Sequence, residues 1–242
     1  MKGFWVLFSA NLKEFVRDRA GLFWTFALPL SFVFLFGVIF SGERQDISFD
    51  YVLPGILAMA LMQLGLFGAM QFLSLRERKI VRGLSITPIS RVALLGSEIL
   101  LRLLAGFVQA GIILAFGVGV FGVRLVGPIH EVLALVLLGS AAFVSLGYLL
   151  ICFARSMESG SGIAQVVQLP MMFLAGVFFP VELMPEFMQP VVRVIPLKFL
   201  ADALREVMTG VPAEFSLTMN AGFLSLFLGL TLVAAIRFWR WE

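Results

Sequence analysis

Glu98 and Arg102 stand four residues apart inside the apolar run LLGSEILLRLLAGFVQAGIILAF, the one place where two opposite charges enter such a stretch. Glutamate preceding a cation at this spacing lets the two pair on one helix face. Three roles suit the pair. It could be structural, with long side chains reaching a membrane surface; it could contact a partner on that side; or it could couple proton movement, because charge inside an apolar span is costly. Other reactive types are sparse. Ser97 follows Gly96, but a nucleophilic serine needs a histidine base within hydrogen-bond reach, and the only histidine, His130, is expected at the opposite membrane face. The single cysteine, Cys152, excludes an intrachain disulfide. The sequence has no HExxH, no CxxC and no carboxylate cluster at metal spacing. It also lacks any Gly-Lys pair, hence the phosphate-cradling GxxxxGK[ST] loop. Use of ATP therefore falls to another chain, and this one is expected to be no enzyme.

A second constellation is built for contact. Residues 76–91 read RERKIVRGLSITPISR and place Arg76, Arg78, Lys79, Arg82 and Arg91 between two apolar runs. Arg78, Lys79 and Arg82 fall on one side of a short helix, with Ile80, Val81 and Leu84 on the other. Gly83 and Thr87-Pro88 break or end that helix. A loop needing only solubility would not need two faces.

The elements that hold these residues follow from composition. The 242-residue chain is 60% hydrophobic and 14% charged, with a mean hydropathy of +1.02, far outside soluble domains. Six segments are long and apolar enough to span a bilayer: residues 22–40, 51–73, 92–121, 132–153, 162–179 and 217–236. Cations in the N-terminal segment, the 76–91 connection, Arg155 and the tail outnumber those in the other connections. Both termini are therefore expected in the cytoplasm. The pI near 9.4 reflects cations at span ends rather than one patch, so nucleic acid is not an expected partner.

Residues 1–21 predict an amphipathic helix, with Phe4, Trp5, Phe8, Leu12, Phe15 and Val16 on one face, suited to lie among lipid headgroups or pack on its own protein. This segment is too long and too mixed in charge for a cleavable signal. Residues 181–213 predict a helical insertion on the outer side. Pro196 begins and Gly210 ends its main helix, Lys198 and Asp202 pair at four residues, and a shorter helical piece over 185–195 precedes it. Such helices are too short and polar to span; they would sit at the outer interface or dip in and return. Small residues four apart (Ala115 and Gly119, Ala141 and Ser145, Ala221 and Ser225) would admit close helix crossings. Gln63 and Gln71, Gln109, and Gln165 and Gln168 put amides deep in spans, and Met59, Met62, Met70, Met171 and Met172 add adaptable side chains. That mixture suits either an amphipathic cargo path or core filling.

Together the N-terminal helix, six spans, RERKIVRGLSITPISR after the second and FFPVELMP…VIPLKFLADALRE before the last resemble the membrane subunit of bacterial type-2 ATP-binding-cassette exporters. The resemblance covers nearly the whole chain and implies an all-α permease domain over residues 1–242. It implies a dimer of permeases, in the bacterial inner membrane and its lipids, on a separate ATP-binding-cassette ATPase that carries ATP and Mg; no cofactor is expected in this chain. Residues 74–91 would be the coupling segment, with Arg76, Glu77, Arg78, Lys79, Arg82, Gly83 and Pro88 engaging the ATPase. The resemblance places the pathway at the dimer interface, lined chiefly by the second and fifth spans, which bear Gln63, Met70, Gln165, Gln168 and Met172. The cargo would be a drug, a lipid-like molecule or another amphipathic compound. A self-contained secondary transporter or channel using Glu98 and Arg102, or a non-transporting membrane scaffold, remains the alternative.

Overall fold

The computed structural model describes residues 2–40, 48–77, 91–178, 181 and 184–239, and among these residues it contains helices and no strand. In sequence order the helices are α1 (Lys2–Arg17), α2 (Arg19–Phe40) and α3 (Phe49–Glu77), α4 (Arg91–Phe121), α5 (Ile129–Ile151), α6 (Met157–Leu174), α7 (Gln189–Val192), α8 (Pro196–Thr209) and α9 (Leu217–Phe238). Five of them, α2, α3, α4, α5 and α9, are long and apolar enough to cross a membrane. The expected fifth span is only partly matched by α6, an 18-residue helix that carries Glu158 and Pro170 and is not among those five.

Local chemistry explains where the helices start and stop. The Asp18 carboxylate accepts from the Gly21 amide at 3.0 Å and caps the start of α2. A π-helical turn, Phe23–Ala27, lies within α2, and the buried Gln109 amide of α4 donates to the Thr25 carbonyl of that turn at 2.5 Å. Ser156 and Ser159 form a reciprocal capping box at the start of α6. Pro196 opens α8, and Gly210, with a φ of 68°, closes it in the left-handed conformation that glycine adopts without strain.

The bundle is arranged around α3. Nearly all of its residues between Val52 and Leu66 are buried, Gln63 being the half-buried exception, and α5 and α8 pack most closely on it, with α2, α4 and α6 around them. Pro54 has no N–H to give the Asp50 carbonyl four residues back; the Thr209 hydroxyl of α8 donates to that carbonyl at 3.0 Å instead. α8 is buried on nearly every side, including Lys198, Asp202 and Arg205. Its charged side is thus not an interfacial face: Lys198, Asp202 and Arg205 are drawn into the bundle, where each finds a partner. The short piece expected over 185–195 is helical only at Gln189–Val192.

Of the small-residue pairs, Ser145 meets a neighbouring helix, its hydroxyl lying 2.7 Å from that of Thr231 on α9. Ala115 and Gly119 are exposed. The tight crossings use Gly65 and Gly147 instead, which bring the backbones of α3 and α5 together.

Candidate functional site

Two charged clusters sit at the two ends of α3. Tyr51 belongs to one and Gln71 to the other, about 30 Å apart at 1.5 Å per helical residue.

At the Gln71 end, α1, α3 and α4 meet. The Arg102 guanidinium donates to the Gln71 side-chain oxygen, covers the Phe15 ring at 5.3 Å and lies 3.7 Å from the Glu98 carboxylate. Gly68 leaves the room that its side-chain stem occupies. Glu98 is 1% exposed, and neither of its oxygens accepts a hydrogen bond from a described residue. Beside it, the Asn11 amide donates to Ser97 at 3.1 Å, and the Ser97 hydroxyl donates to the Leu94 carbonyl at 2.8 Å. Ser97 is thus a link between α1 and α4. His130 opens α5 beyond the far end of α4, about 35 Å along that helix, so it offers Ser97 no base.

The same end carries the two described residues of the expected coupling set. Arg76 donates to the Ala154 carbonyl and lies 3.5 Å from that of Ile151. The Glu77 carboxylate accepts from the Met157 amide at 3.1 Å. Arg78, Lys79, Arg82, Gly83 and Pro88 lie outside the described residues.

The residues expected to line a pathway stand in unlike surroundings. Met70 is buried, with its sulfur against Gly160 of α6. Gln63, Gln168 and Met172 are half-buried, and Gln165 is exposed on a face of α6 shared with Val166, Leu169 and Phe173.

At the Tyr51 end the structure assembles a network that the sequence hints at only through Lys198 and Asp202. Arg205 is 2% exposed. It donates to the Asp202 carboxylate at 2.8 Å, to the Tyr51 carbonyl at 3.0 Å, and to the carbonyls of Gly176 at 2.6 Å and Val177 at 3.2 Å. Its guanidinium carbon is 3.8 Å from the centre of the Tyr51 ring, whose hydroxyl also donates to the Gly176 carbonyl at 3.0 Å. Gly176 follows the end of α6 with a φ of 67°. Lys198 bridges Asp202 at 2.5 Å and Glu214 at 3.0 Å, and Glu214 continues to Arg193 at 2.7 Å. The network joins α3, α8, the segment after α6 and the approach to α9. Among the described residues no group of histidine, cysteine and carboxylate side chains could hold a metal ion.

A family model described as "ABC-2 type transporter" matches residues 2–209. The chain is 28% identical over 230 residues to the daunorubicin resistance ABC transporter permease protein DrrB1 of Streptomyces coeruleorubidus, covering 85% of this chain and 76% of that protein. It is 21% identical over 232 residues to the putative transport permease YvfS of Bacillus subtilis (strain 168), with 92% of each chain covered. To the linearmycin resistance permease protein LnrN of the same organism it is 23% identical over 182 residues, spanning 75% of this chain and 46% of that protein.

Proposed function

The chain belongs to the ABC-2 type transporter family, and from that premise we propose that it is the membrane-spanning permease subunit of an ATP-driven exporter, working with a separate ATPase. It is a multi-pass membrane protein of transport rather than catalytic character. The observation that carries the proposal is the match over residues 2–209, which takes in α1 through α8 and the basic connection after α3.

In this reading α6 and the residues after it complete a sixth crossing, both termini are cytoplasmic, and α7 and α8 belong to the outer side. The Gln71 end of α3 then faces the cytoplasm, in keeping with the basic residues that follow it. Two copies form the pathway in the bacterial inner membrane, in contact with its lipids. Arg78, Lys79 and Arg82 dock on the ATPase, which binds ATP and Mg. Closure of the ATPase on nucleotide favours one of two permease states, and the difference in cargo affinity between them drives export. An amphipathic drug-like cargo is supported by the names of DrrB1 and LnrN, which attach those relatives to daunorubicin and linearmycin resistance.

The test is co-purification from native membranes with a tag on this chain. A stoichiometric ATPase is expected, and reversing Arg78, Lys79 and Arg82 to glutamate should release it. A homogeneous complex of this chain alone, moving cargo on an ion gradient, would sink the proposal. Glu98→Gln separates the two energy sources. The neutral amide can still lie beside Arg102, which keeps its bonds to Gln71 and Phe15, so ATP-driven export should run at the parent level. Abolished export with the ATPase still bound would instead make Glu98 a proton-coupling group.

A further inference from the structure

Arg76 and Glu77 end α3 with opposite charges, and each is directed to the opposite end of a neighbouring helix. Arg76 reaches carbonyls at and just beyond the C-terminus of α5, approaching Ile151 and bonding to Ala154. Glu77 takes the amide of Met157, the first residue of α6. A cation at a helix C-terminus and an anion at a helix N-terminus both suit the helix dipole, and both satisfy groups that the helix leaves open. Arg76 and Glu77 therefore hold the two sides of one short connection. Packing strengthens the grip: Gly160, in the first turn of α6, admits Leu73 and Met70 of α3 so closely that a Cβ there would lie 2.5 Å from the Leu73 side chain.

We propose that Arg76 and Glu77 are positioning residues that transmit movement of the basic connection into α6, rather than residues that bind the ATPase. The inference rests on the exporter reading and refines it by dividing the expected coupling set: Arg78, Lys79 and Arg82 dock, while Arg76 and Glu77 transmit. The chain runs from Glu77 directly into the docking residues, so a displacement there pulls on the Met157 amide. A hydrogen-bonded helix passes that pull along its length, and the exposed outer side of α6 around Val166 and Phe173 moves with it.

The experiment uses the intact permease–ATPase complex carrying Cys152→Ser and Val166→Cys, with a bimane fluorophore attached at the latter position, where Val166 is 74% exposed. In the parent complex, ATP and Mg should shift the bimane spectrum. Arg76→Ala and Glu77→Ala, singly and together, should retain the ATPase at parent stoichiometry and lose that shift. Glu77→Gln, which keeps an acceptor for the Met157 amide, should preserve it. If the double variant does not fold, the single variants carry the comparison. Loss of the ATPase from the alanine variants would make these residues docking groups and overturn the proposal, as would a shift of parent size in both. A parent chain that retains no ATPase would overturn the exporter reading itself, a result distinct from either.

Discussion

Arg205→Ala is expected to be strongly destabilising. The substitution removes a donor from three carbonyls, on Tyr51, Gly176 and Val177, and one of the two cations beside Asp202. Removing one partner of a buried ionic network costs about 3–5 kcal/mol, because the charges and dipoles it served stay buried with fewer partners. Lys198 cannot take over: its ammonium already serves Asp202 and Glu214. Arg205→Lys should recover only part of the loss, since a point charge cannot reproduce the planar fork that reaches Asp202 on one side and two carbonyls on the other. Thermal unfolding of the detergent-purified protein, followed by gel filtration, reads the effect. An unchanged melting temperature for Arg205→Ala would show that the network contributes nothing to holding α3, α8 and the end of α6 together.

A comparable effect is expected where α3 crosses α5. A Cβ placed on Gly147 would lie 2.4 Å from the Gly65 carbonyl oxygen and 3.1 Å from the Leu66 Cα, and one on Gly65 would lie 2.5 Å from the Phe143 carbonyl carbon. These neighbours are backbone atoms, so no side chain can rotate away. Glycine-mediated approach is a principal source of helix association inside membranes, where lipid tails compete with apolar side chains. Gly147→Ala should cost about 1–3 kcal/mol, the usual range for forcing atoms into a packed interior. Gly147→Leu should leave little folded protein. Gly119→Ala is the matched control, since nothing lies within 4 Å of a Cβ there. Folded yield by gel filtration of a fluorescent fusion distinguishes them; equal yields for Gly147→Leu and Gly119→Ala would refute the crossing argument.

The amino-acid sequence by itself determined the features whose physics is local. Apolar runs long enough for a bilayer mark five of the helices, because hydropathy needs no partner to be read. Pro196 and Gly210 mark the ends of α8, because fixed and left-handed φ values are properties of single residues. The spacing of Glu98 to Arg102 and of Lys198 to Asp202 announces both ion pairs, because residues four apart on a helix are neighbours wherever it packs. The weakest span to read is also the one that α6 only partly fills: its amides and Pro170 dilute the apolar signal that marks the others.

Tertiary structure alone decided where those local signals lead. Nothing in the spacing of Arg205 indicates Tyr51, far back in the chain, or Gly176 after α6, yet these supply its acceptors. The same holds for Arg102 with Gln71 and Phe15, and for Asn11 with Ser97. Glycine spacing within one helix could not reveal that Gly65 meets Gly147, because close approach depends on the crossing point of two helices rather than on a motif in either. Arg76 and Glu77 read in sequence as part of one charged connection; packing sets them against the ends of α5 and α6. A charge in a mostly apolar bundle goes where an acceptor or an opposite charge has been brought by the fold, and only the packed arrangement of helices specifies that place.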